Sequence, residues 1–322
     1  MEYRRLGKTG QEVSVIGFGG ASLSGEGGGY GFGPMDESKA QNLIHASLER
    51  GLNLFDTAPL YGKGLSEKRL GKALTGRREK AFIVSKCGLT WKDSGRIDHD
   101  NDPKVCQKML EQSLRDLRTD FIDLYMIHHP HPKVDIRQTL EVLTLAQEEG
   151  KVKYIGVCNV DGEELSKALE VSAIDVIQNE CHFFSTEKME RLFPLLQKKD
   201  IGALGWGTLH KGVLAGTVRE GRLYESSDIR AWAPWFRKSK EIKRQIRFVH
   251  DTLFPLLKGR DMSPFSFALH SVLRFSPLSS ALCGFRSIEQ LNDLLGALDK
   301  PVPQDMIERL GRLYRETKSD EA

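Results

Sequence analysis

Short apolar runs alternate with longer amphipathic segments over most of the chain. Eight of the short runs have the length and composition of buried strands: residues 13–18, 52–55, 81–84, 121–127, 154–157, 176–178, 201–205 and 280–283. The segments between them repeat apolar residues with the period of a helix, over residues 36–50, 103–117, 135–150, 162–171 and 186–199. This alternation predicts strands that are connected by helices.

The order of these elements predicts the fold. Strands that alternate with helices form a parallel sheet, and eight is the number that closes a barrel. We therefore expect a (β/α)8 TIM barrel that forms a single domain over residues 1–322. A small β-hairpin that turns at residues 8–10 precedes the barrel. Extra helical patterns lie near the C-terminal end, over residues 241–258, 265–274, 289–298 and 304–317.

Two stretches interrupt the alternation. Residues 22–34 form a Gly-rich loop, and residues 216–240 form a long loop that contains Trp232, Trp235 and Phe236. Loops of this length in a compact domain are commonly functional. We expect the second loop to expose its aromatic residues and to cover a substrate or cofactor. Together with residues 90–102, these loops should set substrate specificity.

Composition and charge narrow the possible roles. The chain has 39% hydrophobic and 28% charged residues and a formal net charge of +3, so neither nucleic acid nor a membrane surface is an expected partner. No apolar stretch is long enough to span a bilayer, and the N-terminus lacks the apolar core of a signal peptide. The five cysteines are widely spaced and include no CxxC pair. We expect a cytoplasmic protein without a disulfide framework.

Side chains that can move protons follow three successive predicted strands. Asp56 ends the second strand, and Tyr61 lies five positions later in a loop. Lys86 ends the third strand and His128 the fourth. Catalytic groups of such barrels lie at the carboxyl ends of the strands, so these four residues should form a catalytic site. In that site Asp56 would hold Lys86 charged, and Lys86 would lower the pKa of the Tyr61 phenol.

Metal binding is a second interpretation of the histidines at positions 128, 129 and 131. Histidines at strand ends bind metal ions in several barrel enzymes. Neighbouring residues on a strand point to opposite faces, however, so His128 and His129 cannot easily face one ion. Lys86 in the same pocket would also repel a cation. We expect no metal.

The segments that carry the four residues resemble the catalytic tetrad of the aldo-keto reductases, and the resemblance extends along nearly the whole chain. The matching stretches are Phe55-Asp56-Thr57-Ala58, Tyr61-Gly62, Ser85-Lys86 and Asp123-Leu124-Tyr125-x-Ile127-His128. The resemblance implies that Tyr61 supplies a proton and that His128 orients a carbonyl, while a reduced nicotinamide supplies hydride. It also implies that the N-terminal hairpin closes the bottom of the barrel.

A dinucleotide site of the Rossmann type is not expected, because no G-x-G-x-x-G motif occurs in the chain. Later strand ends instead match the positions at which aldo-keto reductases hold their cofactor. Asn159 and Gln178 would contact the carboxamide, beside Cys158 in place of the usual serine. The resemblance places Trp206 where an aromatic ring stacks on nicotinamide, and Arg286 where a 2′-phosphate binds.

The resemblance thus implies NADP as the cofactor, with NADPH preferred over NADH. The residues expected to bind it are Gly20, Ala21, Asn159, Gln178, Trp206, Gly207, Leu209, Lys211, Gly284, Arg286 and Gln290. Gly207-Thr208 replaces a common Ser-Pro pair, and Leu294 stands where asparagine is usual.

The expected reaction is reduction of aldehydes or ketones, sugar-like ones among them, to alcohols, or the reverse oxidation. Ser22, His129 and Trp232 are expected to border the pocket of this small-molecule substrate. A regulatory barrel that binds the cofactor but turns over little substrate is the alternative. The retained tetrad disfavours that alternative, because a sensor needs neither Tyr61 nor His128.

Overall fold

Eight parallel strands close into a barrel in this computed structural model, which describes residues 1–92, 96–260 and 262–319. In chain order the strands are β1 Tyr3–Arg5, β2 Glu12–Ser14, β3 Ile16–Gly19, β4 Leu54–Asp56, β5 Phe82–Cys87, β6 Leu89–Trp91, β7 Ile97–His99, β8 Ile122–Ile127, β9 Val152–Cys158, β10 Val176–Glu180, β11 Gly202–Trp206 and β12 Leu278–Cys283. The barrel follows the order β3, β4, β5, β8, β9, β10, β11, β12, and β12 pairs with β3. The predicted TIM barrel is confirmed.

The helices pack around the barrel and beyond its last strand. They are α1 Glu37–Glu49, α2 Leu65–Ala73, α3 Pro103–Leu117, α4 Ile136–Glu148, α5 Gly162–Val171, α6 Glu187–Lys199, α7 Ile229–Trp232, α8 Pro234–Arg237, α9 Lys240–Phe248, α10 Phe254–Lys258, α11 Pro264–Leu273, α12 Ile288–Leu298 and α13 Gln304–Ser319. Residues 93–95 of the expected loop 90–102, and residues 261 and 320–322 of the expected domain, lie outside the described residues.

Two predicted elements differ in the structure. The predicted strand 13–18 is two strands, because Val13 pairs with Arg4 in the hairpin whereas Ile16 pairs with Ala281 in the barrel. The predicted helix 241–258 contains a π-helical turn, Val249–Leu253, between α9 and α10. Pro255 follows this turn, and it has no N–H to continue the ordinary helical hydrogen bonds.

A helix and a hairpin near the site were not predicted. Helix α2 buries Glu67 and Arg69. Because its buried face is partly polar, the sequence of this segment lacks the apolar period that predicts a helix. Strands β6 and β7 form an antiparallel hairpin where a loop was expected. This hairpin follows β5 directly, and Trp91 at its end packs near Tyr61 in a small apolar cluster.

Alternate residues of each barrel strand point inward, and this period of two determines which side chains reach the site. The interior contains Leu54 of β4, Val84 of β5, Met126 of β8 and Val176 of β10. Leu6, from the N-terminal hairpin, is fully buried in the same cluster. The hairpin therefore closes one end of the barrel, as expected.

Candidate active site

The strand period brings the predicted catalytic side chains into the barrel. Asp56 is two residues after the inward-facing Leu54, and Lys86 is two residues after the inward-facing Val84. His128 follows β8 by one residue and continues the inward series of Met126. These positions lie at the carboxyl ends of three neighbouring strands, where barrel enzymes place their catalytic groups.

Lys86 and Asp56 form a buried ion pair. Lys86 Nζ donates to Asp56 Oδ1 over 2.5 Å and to the carbonyl oxygen of Thr57 over 2.9 Å. Lys86 is 0% exposed and Asp56 is 4% exposed. A buried charge requires such a partner, since its loss of hydration would otherwise be very costly.

Tyr61 lies beside this pair. Its ring centre is 5.3 Å from Lys86 Nζ. Burial raises the pKa of Tyr61 well above its usual value, and the negative charge of Asp56 raises it further. The net pKa of Tyr61 is thus raised instead of lowered as expected, because burial outweighs the charge of Lys86, whose ammonium lies over the ring face and donates its hydrogen bonds to Asp56 and Thr57. The phenol is therefore held in its protonated form.

His128 meets Tyr61 edge to face, with ring centres 5.9 Å apart and an interplanar angle of 89°. Burial lowers the pKa of His128 well below its usual value, and the positive charge of Lys86 lowers it further. The imidazole is therefore neutral near pH 7. A neutral ring beside a protonated phenol can hold a carbonyl oxygen through hydrogen bonds.

Asn159 connects the catalytic end of the barrel to Trp206. Its Nδ2 donates to the carbonyl oxygen of His128 over 2.9 Å, and its Oδ1 accepts from Trp206 Nε1 over 3.0 Å. Asn159 has a positive φ of 59°, which asparagine tolerates better than most residues. The amide thereby fixes the orientation of the indole ring.

A groove of about 560 Å³ runs from Tyr61 to α12. Many of the residues predicted for cofactor, substrate or catalysis line it: Ala21, Ser22, Asp56, Tyr61, Trp206, Gly207, Leu209, Lys211, Gly284, Arg286 and Gln290. The other predicted residues lie outside its lining: Gly20, Lys86, His128, His129, Asn159, Gln178 and Trp232. Among these, Gly20 packs so closely that a Cβ there would meet the Asp56 carbonyl oxygen at 2.5 Å.

The side chains that line this groove fit a nicotinamide dinucleotide. Trp206 offers an aromatic face, and Lys211 and Arg286 offer positive charge for phosphates. Helix α12 begins directly after its N-cap residue Ser287, so its N-terminus adds partial positive charge at the Arg286 end.

Lys211 is held in place by one acidic and two aromatic side chains. Its Nζ is 3.2 Å from Glu180 Oε1 and lies 5.4 Å from the Trp206 ring centre and 5.2 Å from that of Trp235. Lys211 also has a positive φ of 56°. Burial alone would raise the pKa of Glu180, but a hydrogen bond from His182 and the charge of Lys211 outweigh it and hold the pKa at about 2.

Glu180, His182 and His210 place three potential metal-ligand atoms within 4.8 Å of one another, a cluster that the sequence did not suggest. His182 Nδ1 accepts from the Phe184 N–H, so in the neutral ring Nε2 carries the proton and faces Glu180. Lys211 already places a positive charge against this carboxylate. The arrangement is a hydrogen-bonded ion-pair network, and its charges oppose a metal ion.

Arg286 binds the Gly-rich loop 22–34. Its guanidinium donates to the carbonyl oxygens of Ser22 over 3.4 Å and Gly33 over 2.9 Å, and also to those of Phe32 and Pro34. The backbone N–H of Arg286 donates to Gln290 Oε1 over 2.8 Å. The two residues predicted to read the adenosine phosphate thus also fasten the start of α12 to the loop.

Sequence reasoning missed Tyr30 and Arg230, which both line the groove. The Tyr30 ring centre is 5.9 Å from that of Tyr61. Arg230 forms a two-point ion pair with Asp228 and donates to the Lys211 carbonyl oxygen over 3.1 Å. The sequence feature that could have identified Tyr30 as a site residue is its position as an aromatic residue within a Gly-rich loop.

The aromatic side chains of the long loop 216–240 are not all exposed, contrary to expectation. Trp232 and Trp235 are 43% and 45% exposed, but Phe236 is buried. Phe236 instead packs edge to face against Tyr224. Its burial, together with the short helices α7 and α8, gives this loop an apolar anchor of its own.

Within the described part of the chain, no helix combines the length and apolar character needed to cross a lipid bilayer.

Comparison with known proteins places these observations in a family. The model of the Aldo/keto reductase family matches residues 15–315. The chain is 36% identical to Aldo-keto reductase YhdN of Bacillus subtilis (strain 168) over 74% of this chain and 72% of that one. It is 29% identical to the NADH-specific methylglyoxal reductase of Escherichia coli (strain K12) over 95% and 98% of the two chains.

A solved structure is also similar. Glycerol dehydrogenase AKR11B4 from Gluconobacter oxydans has a TM-score of 0.78 and 29% identity, over 94% of this chain and 92% of that one. The match of the family model over most of the chain confirms the family to which the sequence motifs pointed. The chain belongs to the aldo/keto reductase family and is an NAD(P)H-dependent oxidoreductase that acts on small carbonyl compounds.

Proposed function

We propose that this protein reduces aldehydes or ketones to alcohols with NADPH, and that Tyr61 donates the proton. The observation that carries the proposal is the fully buried Lys86–Asp56 pair beside Tyr61, with the His128 ring edge to face against the phenol. This arrangement combines a protonated phenol with a neutral imidazole at the end of a cofactor-sized groove. Residues 1–322 would act together as one domain.

Each residue has a separate task in the proposed reaction. The substrate oxygen accepts hydrogen bonds from Tyr61 and His128, which orients the carbonyl carbon toward the Trp206 end of the groove. When bound, a reduced nicotinamide would supply the hydride that this carbon accepts. As negative charge grows on the oxygen, Tyr61 transfers its proton there, and Lys86 stabilises the phenolate that remains. Asp56 keeps the Lys86 ammonium charged and in position.

The proposed cofactor residues extend along the groove from this centre. Asn159 and Gln178 would contact the carboxamide, and Trp206 would stack on the ring. Lys211 would pair with the pyrophosphate, and Arg286 with the 2′-phosphate. The remaining proposed contacts come from Gly20, Ala21, Gly207, Leu209, Gly284 and Gln290.

The proposed substrates are small and rich in oxygen. The names of two relatives mention methylglyoxal and glycerol. The polar side chains of Ser22, Tyr30 and Arg230 line the groove and support the same class of compound. His129 and Trp232 would border the substrate from outside the groove lining.

The test is a screen of carbonyl compounds that follows nicotinamide absorbance, with methylglyoxal, glyceraldehyde and hexanal as representatives. We expect turnover of the first two in the wild type and its near-complete loss in Tyr61→Phe. If the wild type bound NADPH but turned over no carbonyl compound, the protein would be a cofactor-binding regulatory barrel instead.

A further inference from the structure

Gln178 makes a hydrogen bond across the inside of the barrel. Its Nε2 donates to Asp56 Oδ1 over 2.7 Å, although the two residues are 122 positions apart in sequence. Gln178 lies on β10 and Asp56 on β4, which are on opposite sides of the eight-stranded barrel. Val176 points inward on β10, so the strand period of two also directs Gln178 inward.

This bond adds a second hydrogen bond to the Asp56 carboxylate. Oδ1 of Asp56 accepts from both Gln178 Nε2 and Lys86 Nζ, and both donors are buried. A hydrogen bond from a fixed amide restricts rotation of the carboxylate and disperses part of its negative charge. Gln178 Oε1 faces the Cys158 thiol at 3.6 Å. The amide is therefore oriented from both ends.

We propose that Gln178 is a positioning residue for proton transfer, which holds Asp56 in place so that the Lys86 ammonium stays over the Tyr61 ring. This inference rests on the proposed function of Tyr61. It adds a second task to the cofactor contact proposed for Gln178, and it connects the nicotinamide end of the groove to the ion pair beneath the phenol.

The titration of Tyr61 reports on this role. The charged or titratable groups that face Tyr61 are Asp56, Cys158, Lys86, His128 and Tyr30. Of these, Asp56 raises the pKa of the phenol through its negative charge. Loss of the Gln178 hydrogen bond leaves that charge less dispersed, so the phenol should lose its proton at a higher pH.

The experiment measures alcohol oxidation against pH, because this direction requires the deprotonated phenol and its rate climbs until Tyr61 has titrated. In Gln178→Met we expect kcat to fall about 10- to 100-fold, as for loss of a hydrogen bond to a charged group. We also expect the rate to level off at a higher pH than in the wild type. The dissociation constant of the cofactor is measured in parallel by calorimetry.

Gln178→Glu tests the same bond with a side chain of almost the same shape. A protonated carboxyl at this position can donate to Asp56, whereas an ionised one repels it. Activity of this variant should approach that of the wild type at low pH and fall further behind as pH rises. This variant also tests the proposal if Gln178→Met does not fold.

Asn179→Ala is the matched control, because Asn179 is a buried amide on the same strand that faces away from the barrel interior. It exchanges hydrogen bonds with the backbone of Val160 over 3.1 and 2.8 Å. Its loss should lower the melting temperature and leave the pH profile unchanged. If the Gln178 variants bound the cofactor more weakly but kept the wild-type pH profile, the positioning role would be overturned and the proposed function would stand. A wild type without turnover would overturn the proposed function as well.

Discussion

Lys86 Nζ lies 2.5 Å from Asp56 Oδ1 and 5.3 Å from the centre of the Tyr61 ring, so one buried ammonium pairs with the carboxylate and faces the ring of the phenol. The ammonium cannot exchange these partners for water, because Lys86 is fully buried. Changes to either partner should therefore affect the same proton transfer.

Tyr61→Phe should separate catalysis from binding. It removes the proposed proton donor but retains the ring that packs against the small cluster containing Leu60 and Leu89. Loss of a general acid lowers rates by about 10²–10⁴-fold, so kcat for carbonyl reduction should fall by this amount while NADPH affinity stays nearly constant. Steady-state kinetics and calorimetry measure the two effects.

Lys86→Met should resemble Tyr61→Phe in kcat, and the double variant should be little worse than either single one, because both act through one proton transfer. Lys86→Met should also lower stability, since it leaves the Asp56 charge without its ammonium partner. Additive losses in the double variant would contradict a shared step.

The pH dependence of reduction should be flat around neutrality. Burial and Asp56 hold the pKa of Tyr61 well above the usual ~10, so the phenol keeps its proton as pH rises. The pKa of His128 lies well below ~6.5, so the ring does not gain charge near neutral pH. We expect constant kcat between about pH 6.5 and 9. An inflection within that range that Tyr61→Phe abolishes would count against this assignment.

Stability should decline as the solution becomes more acidic. Burial lowers the pKa of His182 and of His210 in the folded protein. As pH falls, these two histidines therefore bind protons first in the unfolded chain, at the usual pKa of ~6.5. Their contribution to the stability of the folded protein is complete above that pH and is lost as pH falls toward their lower pKa values in the folded state. Each histidine can change the free energy of unfolding by about 1.4 kcal/mol per pH unit in this window.

Urea unfolding at several pH values measures this slope. His182→Gln removes one of the titrating rings and should make the slope smaller by about one proton. A slope that is the same in His182→Gln as in the wild type would show that this ring does not titrate on unfolding.

Arg286→Ala should reduce the proposed preference for NADPH over NADH. Loss of a charged hydrogen-bonded pair costs about 1.5–3 kcal/mol, so NADPH should bind about 10- to 100-fold more weakly while NADH binding changes less. The same change removes the donors that hold loop 22–34, so this loop should become more sensitive to proteases.

Arg222→Ala is the control for a general charge effect, because Arg222 lines the same groove but lies over the Tyr224 ring. Equal losses of NADPH affinity in both variants would indicate that overall charge, and not Arg286 itself, determines the preference.

Two glycine substitutions should change stability in opposite directions. A Cβ at Gly156 would lie 2.5 Å from Met126 Cε and 2.6 Å from the Val176 carbonyl oxygen, inside the barrel. Gly156→Ala should therefore destabilise the fold by about 1–3 kcal/mol. Gly296 is exposed on α12 with no neighbour within 4 Å of its Cβ position, and Gly296→Ala should stabilise by about 0.5–1 kcal/mol. Thermal unfolding of both variants tests the pair.

The sequence by itself determined the barrel and the candidate catalytic residues. Strand and helix periods are local properties, so alternating patterns were enough to predict eight strands and the positions of Asp56, Lys86 and His128 at their ends. Once Leu54 and Val84 face inward, the period of two directs Asp56 and Lys86 inward as well. The predicted ends of strands were wrong where neighbouring elements pair with different partners, as at residues 13–18.

Only the tertiary structure decided which of these side chains meet. The bond from Gln178 to Asp56 spans 122 residues, and that from Arg286 to Gly33 spans 253. Tyr30 reaches Tyr61 from a loop without any regular pattern. Such contacts depend on barrel closure and on loop paths, which local periodicity does not encode. The raised pKa of Tyr61 has the same origin, because burial depends on every element that surrounds the phenol.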